Sequence, residues 1–258
     1  MPRGSAVVLM YHRIGAGPLP GREAREEVYA VALGAFGAQM QLLADRDCPV
    51  VDFGAAVAGA LPPRAVVLTF DDGNATDLAD VLPVLVRHAF PAAFFLSPAR
   101  IGAAGYLTWS DVRALHGAGM TIGAHGFDHT LLPTLSDTDL AWQLAEARRH
   151  IGAALGTPPR FMSLPGGAGD ARVLRAARAA GYEAVATSVQ GRCRGGTGPA
   201  AHAADVPRTV PRFAIRHDET LERFGALAQH RPLMVLRRVL RDRAVRIRRG
   251  WRGASPPA

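Results

Sequence analysis

Ala65-Val66-Val67-Leu68-Thr69-Phe70-Asp71-Asp72-Gly73 is an apolar run that ends on two adjacent carboxylates and a glycine. About fifty residues later Met120-Thr121-Ile122-Gly123-Ala124 leads into His125-Gly126-Phe127-Asp128-His129, which sets two imidazoles four positions apart. Both polar clusters follow strand-like runs. They are therefore expected at strand ends, where the active sites of α/β proteins collect. Alone, Asp-Asp-Gly reads as a turn in which Asp bonds the local backbone and Gly takes a positive φ. Together the two segments offer two His, one Asp and a spare Asp. Two His and one carboxylate leave open positions on a divalent metal, an arrangement suited to hydrolysis, and the spare carboxylate is then free to act as a base.

Outward from these segments, short apolar runs alternate with helical patterns, which argues for a largely parallel α/β architecture. Strands are expected at Ala6 to Tyr11, Pro49 to Phe53, Ala65 to Phe70, Ala92 to Ser97, Thr121 to Ala124, Phe161 to Leu164, Ala184 to Thr187 and Arg212 to Ile215. Helices are expected at Ala32 to Asp45, Ala75 to His88 and Asp137 to Leu155, with caps at Ser136 and Ser110. So many strand and helix units in one chain of this length predict a distorted (β/α) barrel of about seven strands rather than an open sheet. Gly15 to Glu27 and Gln190 to Pro207, rich in Gly, Pro, Ala and charge, read as long irregular connections.

The chain has 258 residues, 48% of them hydrophobic, which is the balance of a folded protein. Its two cysteines, Cys48 and Cys193, supply neither a disulfide framework nor a CxxC metal knuckle, so a metal must rest on His and carboxylate. No apolar run is long enough to span a bilayer, and Met1-Pro2-Arg3-Gly4-Ser5 leads into no signal-peptide core. The expected location is cytoplasmic, or peripheral at the inner face of the membrane.

Every basic residue is Arg, and the stretch 231–258 holds nine of them against Asp242 alone, so it carries the whole formal net charge of +8. Within it Leu233, Leu236, Leu240, Ala244, Ile247 and Trp251 recur at three- and four-residue spacing. A helix there would have an apolar stripe flanked by Arg, fit either to meet an anionic membrane surface or to dock on the domain with its Arg in solvent. The reading divides the chain into a barrel, residues 1–230, and a basic amphipathic tail, residues 231–258.

Thr69-Phe70-Asp71-Asp72-Gly73, His125-xxx-His129 and Phe161-Met162-Ser163-Leu164-Pro165-Gly166-Gly167 resemble, in order and approximate spacing, the first three motifs of the polysaccharide deacetylases. These are the NodB-homology or family 4 carbohydrate esterases. The resemblance spans roughly residues 6 to 225. It implies a distorted barrel and metal-dependent removal of N- or O-acetyl groups from a glycan. It implies Asp72, His125 and His129 as metal ligands, most simply for zinc, Asp71 as general base and the Gly166 backbone N–H as oxyanion donor. Three departures stand out. Gly126 replaces a Ser or Thr that could orient the second ligand, Ser163 replaces an Arg that pairs with the base, and no Asp-Trp motif follows. Arg212, in Pro211-Arg212-Phe213, is the candidate replacement for the missing Arg.

The family protonates the leaving amine with a strand-end His. His12 follows the continuously apolar Val7-Val8-Leu9-Met10-Tyr11, resembling the biofilm-polysaccharide branch whose permuted motif order puts this His first; His217 occupies the usual C-terminal place. His12 is favoured, because Arg216 interrupts the other strand just before His217. Expected partners are an N-acetylated glycan and, through the tail, an anionic membrane surface. Nucleic acid is not expected, since residues 1–230 are neutral overall and carry no recognisable binding motif. Alternatives are a small-amide deacylase on the same fold and a non-catalytic barrel that binds glycan or membrane.

Overall fold

A computed structural model describes residues 4–15, 27–167, 169–194 and 205–248. Its strands are β1 (Ser5–Tyr11), β2 (Arg13–Ile14), β3 (Ala30–Val31), β4 (Ala65–Asp72), β5 (Ala92–Leu96), β6 (Thr121–Ala124), β7 (Phe161–Ser163), β8 (Ala184–Ala186), β9 (Cys193–Arg194), β10 (Arg208–Val210) and β11 (Phe213–Ala214). Eight of them form one parallel ladder in the order β10-β8-β7-β6-β5-β4-β1-β11, with β9 antiparallel on the start of β1. Seven of the expected strands are in this ladder, and β10 is the addition. The result is the nearly closed, barrel-like sheet of an α/β fold.

Pro211 explains why the end of the chain supplies two short strands rather than one. It has no N–H to give to a ladder. The chain leaves β10 at one edge of the sheet and enters β11 at the other, so Pro211 and Arg212 cross the seam. There the Arg212 N–H donates to the Val189 carbonyl at 3.0 Å.

Alternate strand residues serve two apolar clusters, as a sheet covered on both faces requires. Val7, Leu9 and Tyr11 of β1 and Val66, Leu68 and Phe70 of β4 pack outward among helix residues such as Phe36, Met40 and Leu144. Ala6, Val8, Ala65, Val67, Ala93, Phe95, Phe161, Ala184 and Ala186 form the inner cluster. Mostly alanine, this interior is narrow, and the helix Phe53–Ala58 plugs it. Phe53 lies 5.4 Å from the Phe95 ring and 5.2 Å from Phe161. The strand expected at Pro49 to Phe53 does not form. Val50 makes a single bridge to Val66, and the Asp52 carboxylate then accepts from the Gly54 N–H at 2.6 Å, which starts the helix instead.

Outer helices run at Leu33–Asp45, Trp109–Gly117, Asp137–Leu155 and Ala171–Ala179, and a π turn at Asp77–Val81 leads into Leu82–Arg87. Ser136 caps its helix as expected. The cap expected at Ser110 is Thr108, whose hydroxyl and Asp111 form a reciprocal capping box. Most of the two long irregular connections lies outside the described residues. Cys48 is half-buried, Cys193 is buried, and both are free thiols.

The tail contains the helix Pro232–Arg248, which follows Leu221–Ala228. One face of it packs on the barrel side. Val235 is buried, Met234 and Val239 pack against the core, and Arg238 donates to Glu219 at 2.6 Å and to the Ala214 carbonyl at 3.3 Å. Asp242 accepts from the Gln190 N–H at 3.2 Å and from Arg246 at 2.8 Å. Trp251 and the other residues after Arg248 lie outside the described residues.

Candidate active site

Strand alternation decides which way the two carboxylates turn. Asp71 is in phase with Ala65, Val67 and Thr69, so it points into the barrel. Asp72, with φ of 82°, leaves the strand conformation, and its carboxylate meets the His pair instead. His129 Nε2 lies 3.1 Å from Asp72 Oδ1 and His125 Nε2 lies 3.6 Å from it. His129 also has a positive φ, 72°. Left-handed backbone at a residue other than Gly costs roughly 1–2 kcal/mol and collects at functional sites. Here it occurs at two of three clustered side chains.

Asp71 is held by the barrel seam. Arg212, fully buried, donates through Nη1 to Asp71 Oδ1 and through Nη2 to Oδ2, each at 2.8 Å. Its Nε donates to the Thr187 carbonyl at 3.1 Å, its Nη1 also reaches Thr69 Oγ1 at 3.2 Å, and the guanidinium stands 5.6 Å over the Phe95 ring. A planar fork on both oxygens fixes the carboxylate in orientation as well as charge. Burial pushes the Asp71 pKa up, but Arg212 first and then His125 and His12 outweigh it and hold the group below the ordinary carboxylate range. Burial likewise opposes ionisation of Asp72, and the hydrogen bond from His129 with the nearby His12 and His125 brings its carboxyl far down. Both carboxylates are ionised at neutral pH.

Ser163, from the strand end of β7, joins the two halves. Its hydroxyl donates to Asp71 Oδ1 at 3.3 Å, and its single proton is then used. The same oxygen lies 2.6 Å from His125 Nδ1 and, with its proton on Asp71, accepts from the Nδ1–H tautomer, the one whose Nε2 lone pair faces Asp72. Burial lowers the His125 pKa to about 4, so this ring is neutral at neutral pH. A neutral imidazole with one nitrogen fixed by a hydrogen bond is a prepared metal ligand. Among the described residues, Asp72, His125 and His129 bring three donor atoms within 4.8 Å of one another. Their nitrogen and oxygen chemistry and spacing fit a divalent ion held at about 2.0–2.2 Å from each donor.

Gln143 holds the loop between the two imidazoles. Buried on the helix Asp137–Leu155, its Oε1 accepts from the Phe127 N–H at 2.9 Å and the Asp128 N–H at 3.4 Å. Gly126, with φ of 67°, lets the chain turn beside Pro165, which a Cβ would meet at 3.1 Å. Arg100 stands at the edge of the site, Nη1 3.6 Å from Asp72 Oδ1, with its guanidinium 5.4 Å over Tyr106.

His12 follows β1 directly. It is half-buried, stacks on Tyr29 at 4.8 Å, and lies near enough for its charge to act on both Asp71 and Asp72. His217 is exposed, and its backbone N–H donates to the Val28 carbonyl at 3.0 Å. Gly166 is exposed in the loop after β7 with φ of 61°, and a Cβ there would meet Leu131 at 2.7 Å.

Ser163 and Gln143 were not expected to contribute. Gln143 carried a signal, a polar residue between Leu140 and Leu144 on the apolar stripe of its helix. The role of Ser163 needs the distance to His125, 38 residues away in the chain. Arg212 takes the partner position beside Asp71 that Ser163 vacates, from the other side of the seam.

The polysaccharide deacetylase family model matches residues 58–185. A chitin deacetylase of Pestalotiopsis sp is 27% identical over 139 residues, 54% of this chain and 46% of that protein. A chitooligosaccharide deacetylase of Sinorhizobium fredii is 34% identical over 130 residues, 50% of this chain and 59% of the other. The chain spans about half the length of the curated relatives it matches. Among solved structures, IcaB from Ammonifex degensii superposes with a TM-score of 0.72 at 25% identity, covering 88% of this chain and 97% of that one. A polysaccharide deacetylase from Bacillus cereus gives 0.74 at 21% identity, covering 87% and 69%.

Proposed function

Because the chain belongs to the polysaccharide deacetylase family, we propose that it is a metal-dependent hydrolase removing acetyl groups from N-acetylated sugars of a polysaccharide or lipid-linked glycan. The observation that carries the reading is the division of labour between adjacent carboxylates: Asp71 is gripped by Arg212 on both oxygens, while Asp72 faces His125 and His129. A structural Asp-Asp turn has no need of either arrangement.

In this reading Asp72, His125 and His129 hold a divalent ion, most simply Zn²⁺. When bound, such an ion polarises the acetyl carbonyl and acidifies water toward neutral pH. Asp71 takes the proton of the attacking water. Arg212 keeps that carboxylate ionised and aimed. The Gly166 N–H donates to the oxygen on which negative charge develops, and His12, protonated, delivers a proton to the leaving nitrogen. The ring stacking of Tyr29 on His12 limits how that imidazole can turn.

The test is acetate release by the zinc-reconstituted protein from N-acetylglucosamine oligomers, peptidoglycan fragments and O-acetylated xylan. Release from an N-acetylated substrate, abolished by a chelator and restored by Zn²⁺ or Co²⁺, is the expected result. Activity from protein that metal analysis finds empty would overturn the mechanism, and release from xylan alone would overturn the substrate class.

A further inference from the structure

The helix Pro232–Arg248 has a second face that nothing in the described chain covers. Leu233 is 78% exposed and Leu236 and Leu240 are each 53% exposed. At three- and four-residue spacing they share one side of the helix, opposite the side whose Val235, Val239 and Asp242 meet the barrel. Arg237 and Arg241 border this stripe on one flank and Arg243 on the other, all exposed. The helix climbs from His230, whose ring bonds the Ala65 carbonyl at the start of β4, to Arg238 and Asp242 beside Ala214 and Gln190, past the ends of β11 and β8. Its outer stripe therefore runs along the barrel toward the end that carries the active site.

We propose that this face lies on an anionic lipid bilayer, with the three leucines in the headgroup boundary and the flanking arginines on lipid phosphates. Charge chooses the occupant. A second copy of the chain would bring the same arginines against these, like charge on like charge. An acidic polymer would satisfy the arginines and leave the leucines in water. A bilayer surface satisfies both, because long Arg side chains bury their stems beside an apolar stripe and keep their heads at the phosphate level. No helix among the described residues is long and apolar enough to cross a membrane, so this contact lies in the plane of the surface.

The experiment is sedimentation of the full chain with vesicles of phosphatidylcholine alone and with about a third phosphatidylglycerol. Two triple variants, Leu233→Ser/Leu236→Ser/Leu240→Ser and Arg237→Gln/Arg241→Gln/Arg243→Gln, are compared by thermal melt to establish that they fold. Binding is expected only with the anionic vesicles, and to weaken as salt is raised. An Arg near such a surface strengthens partitioning about five-fold, so the arginine variant should lose on the order of 100-fold. The leucine variant should also lose most binding. Absence of binding to either vesicle overturns the proposal. Binding undiminished in the leucine variant replaces it with a polyanion site, and a wild-type dimer that the leucine variant dissociates replaces it with self-association.

Discussion

Asp71 and Arg212 are both charged and both buried, which makes their partnership sensitive to the loss of either member. Removing one member of a buried, hydrogen-bonded pair costs roughly 3–5 kcal/mol because the other is stranded. Arg212→Met is expected to lose stability on that scale, and the double variant Arg212→Met/Asp71→Asn to regain part of it in urea titrations. Additive losses would mean that the pair is not coupled. Asp71→Asn alone should retain metal and lose most turnover, whereas Asp72→Ala should lose the metal; equal metal loss in both would show that the two roles are misassigned. For the acid, His12→Ala should depress acetate release about 10² to 10⁴-fold with metal content unchanged, and His217→Ala should have little effect. The reverse ranking would return the role to His217. The carboxylates and both imidazoles were legible from sequence because each cluster is local. Arg212 was legible only as a candidate, since its partner lies 141 residues away and nothing in Pro211-Arg212-Phe213 itself reveals burial.

At the scale of elements, the loop between His125 and His129 depends on a neighbouring helix. Gln143 supplies one oxygen to two backbone donors of that loop, and His129 keeps its left-handed backbone within the same turn. Gln143→Leu is expected to fold and to bind Zn²⁺ some 10 to 100 times more weakly, measured by competition with a chromogenic chelator, because partners that orient ligands have effects of that size. Unchanged affinity would show that the turn supports itself. The long strands were legible from their apolar runs. The equally short β7, β8 and β11 were legible from the apolar residues around them, but β2, β9 and β10 each carry an Arg in two or three residues and β3 runs straight into the expected helix at Ala32. The apparent strand at Pro49 to Phe53 failed for a local reason, the Asp52 cap, which a hydropathy pattern does not weigh against strand propensity.

Across the whole molecule, His230 ties the last helices to the sheet. Its ring is buried between Ser5 and the Ala65 carbonyl, with Arg64 and Arg192 near enough to act on it. Burial is the main reason that its pKa lies below the ordinary 6.5, and those two arginines add to it. Above that value the ring is neutral in folded and unfolded chains alike. As pH falls below it, the unfolded chain takes up a proton that the folded one resists, so stability declines toward acid. His230→Asn, which tolerates the positive φ of that position, is expected to flatten this decline between pH 7 and pH 5 in denaturant titrations relative to wild type. Equal slopes would show that the ring does not titrate on unfolding. The tail was half legible: its arginines and apolar stripe stand in the sequence, but two faces compete for the barrel, and only packing reveals that Val235 and Val239 dock there in place of Leu233, Leu236 and Leu240.

The seam at Pro211 and Arg212 also bears on how the protein comes into being. A chain made from its N-terminus presents Asp71 long before its guanidinium partner has been synthesised. Until then a desolvated carboxylate on β4 has no cation to keep it charged and stays open to water or takes up a proton. Contacts this distant in sequence are also the slow ones to form. Nascent or prematurely released chains that end before Arg212 therefore carry Asp72, His125 and His129 without the guanidinium that grips Asp71, and the proposed base is complete only once the last strand is in place.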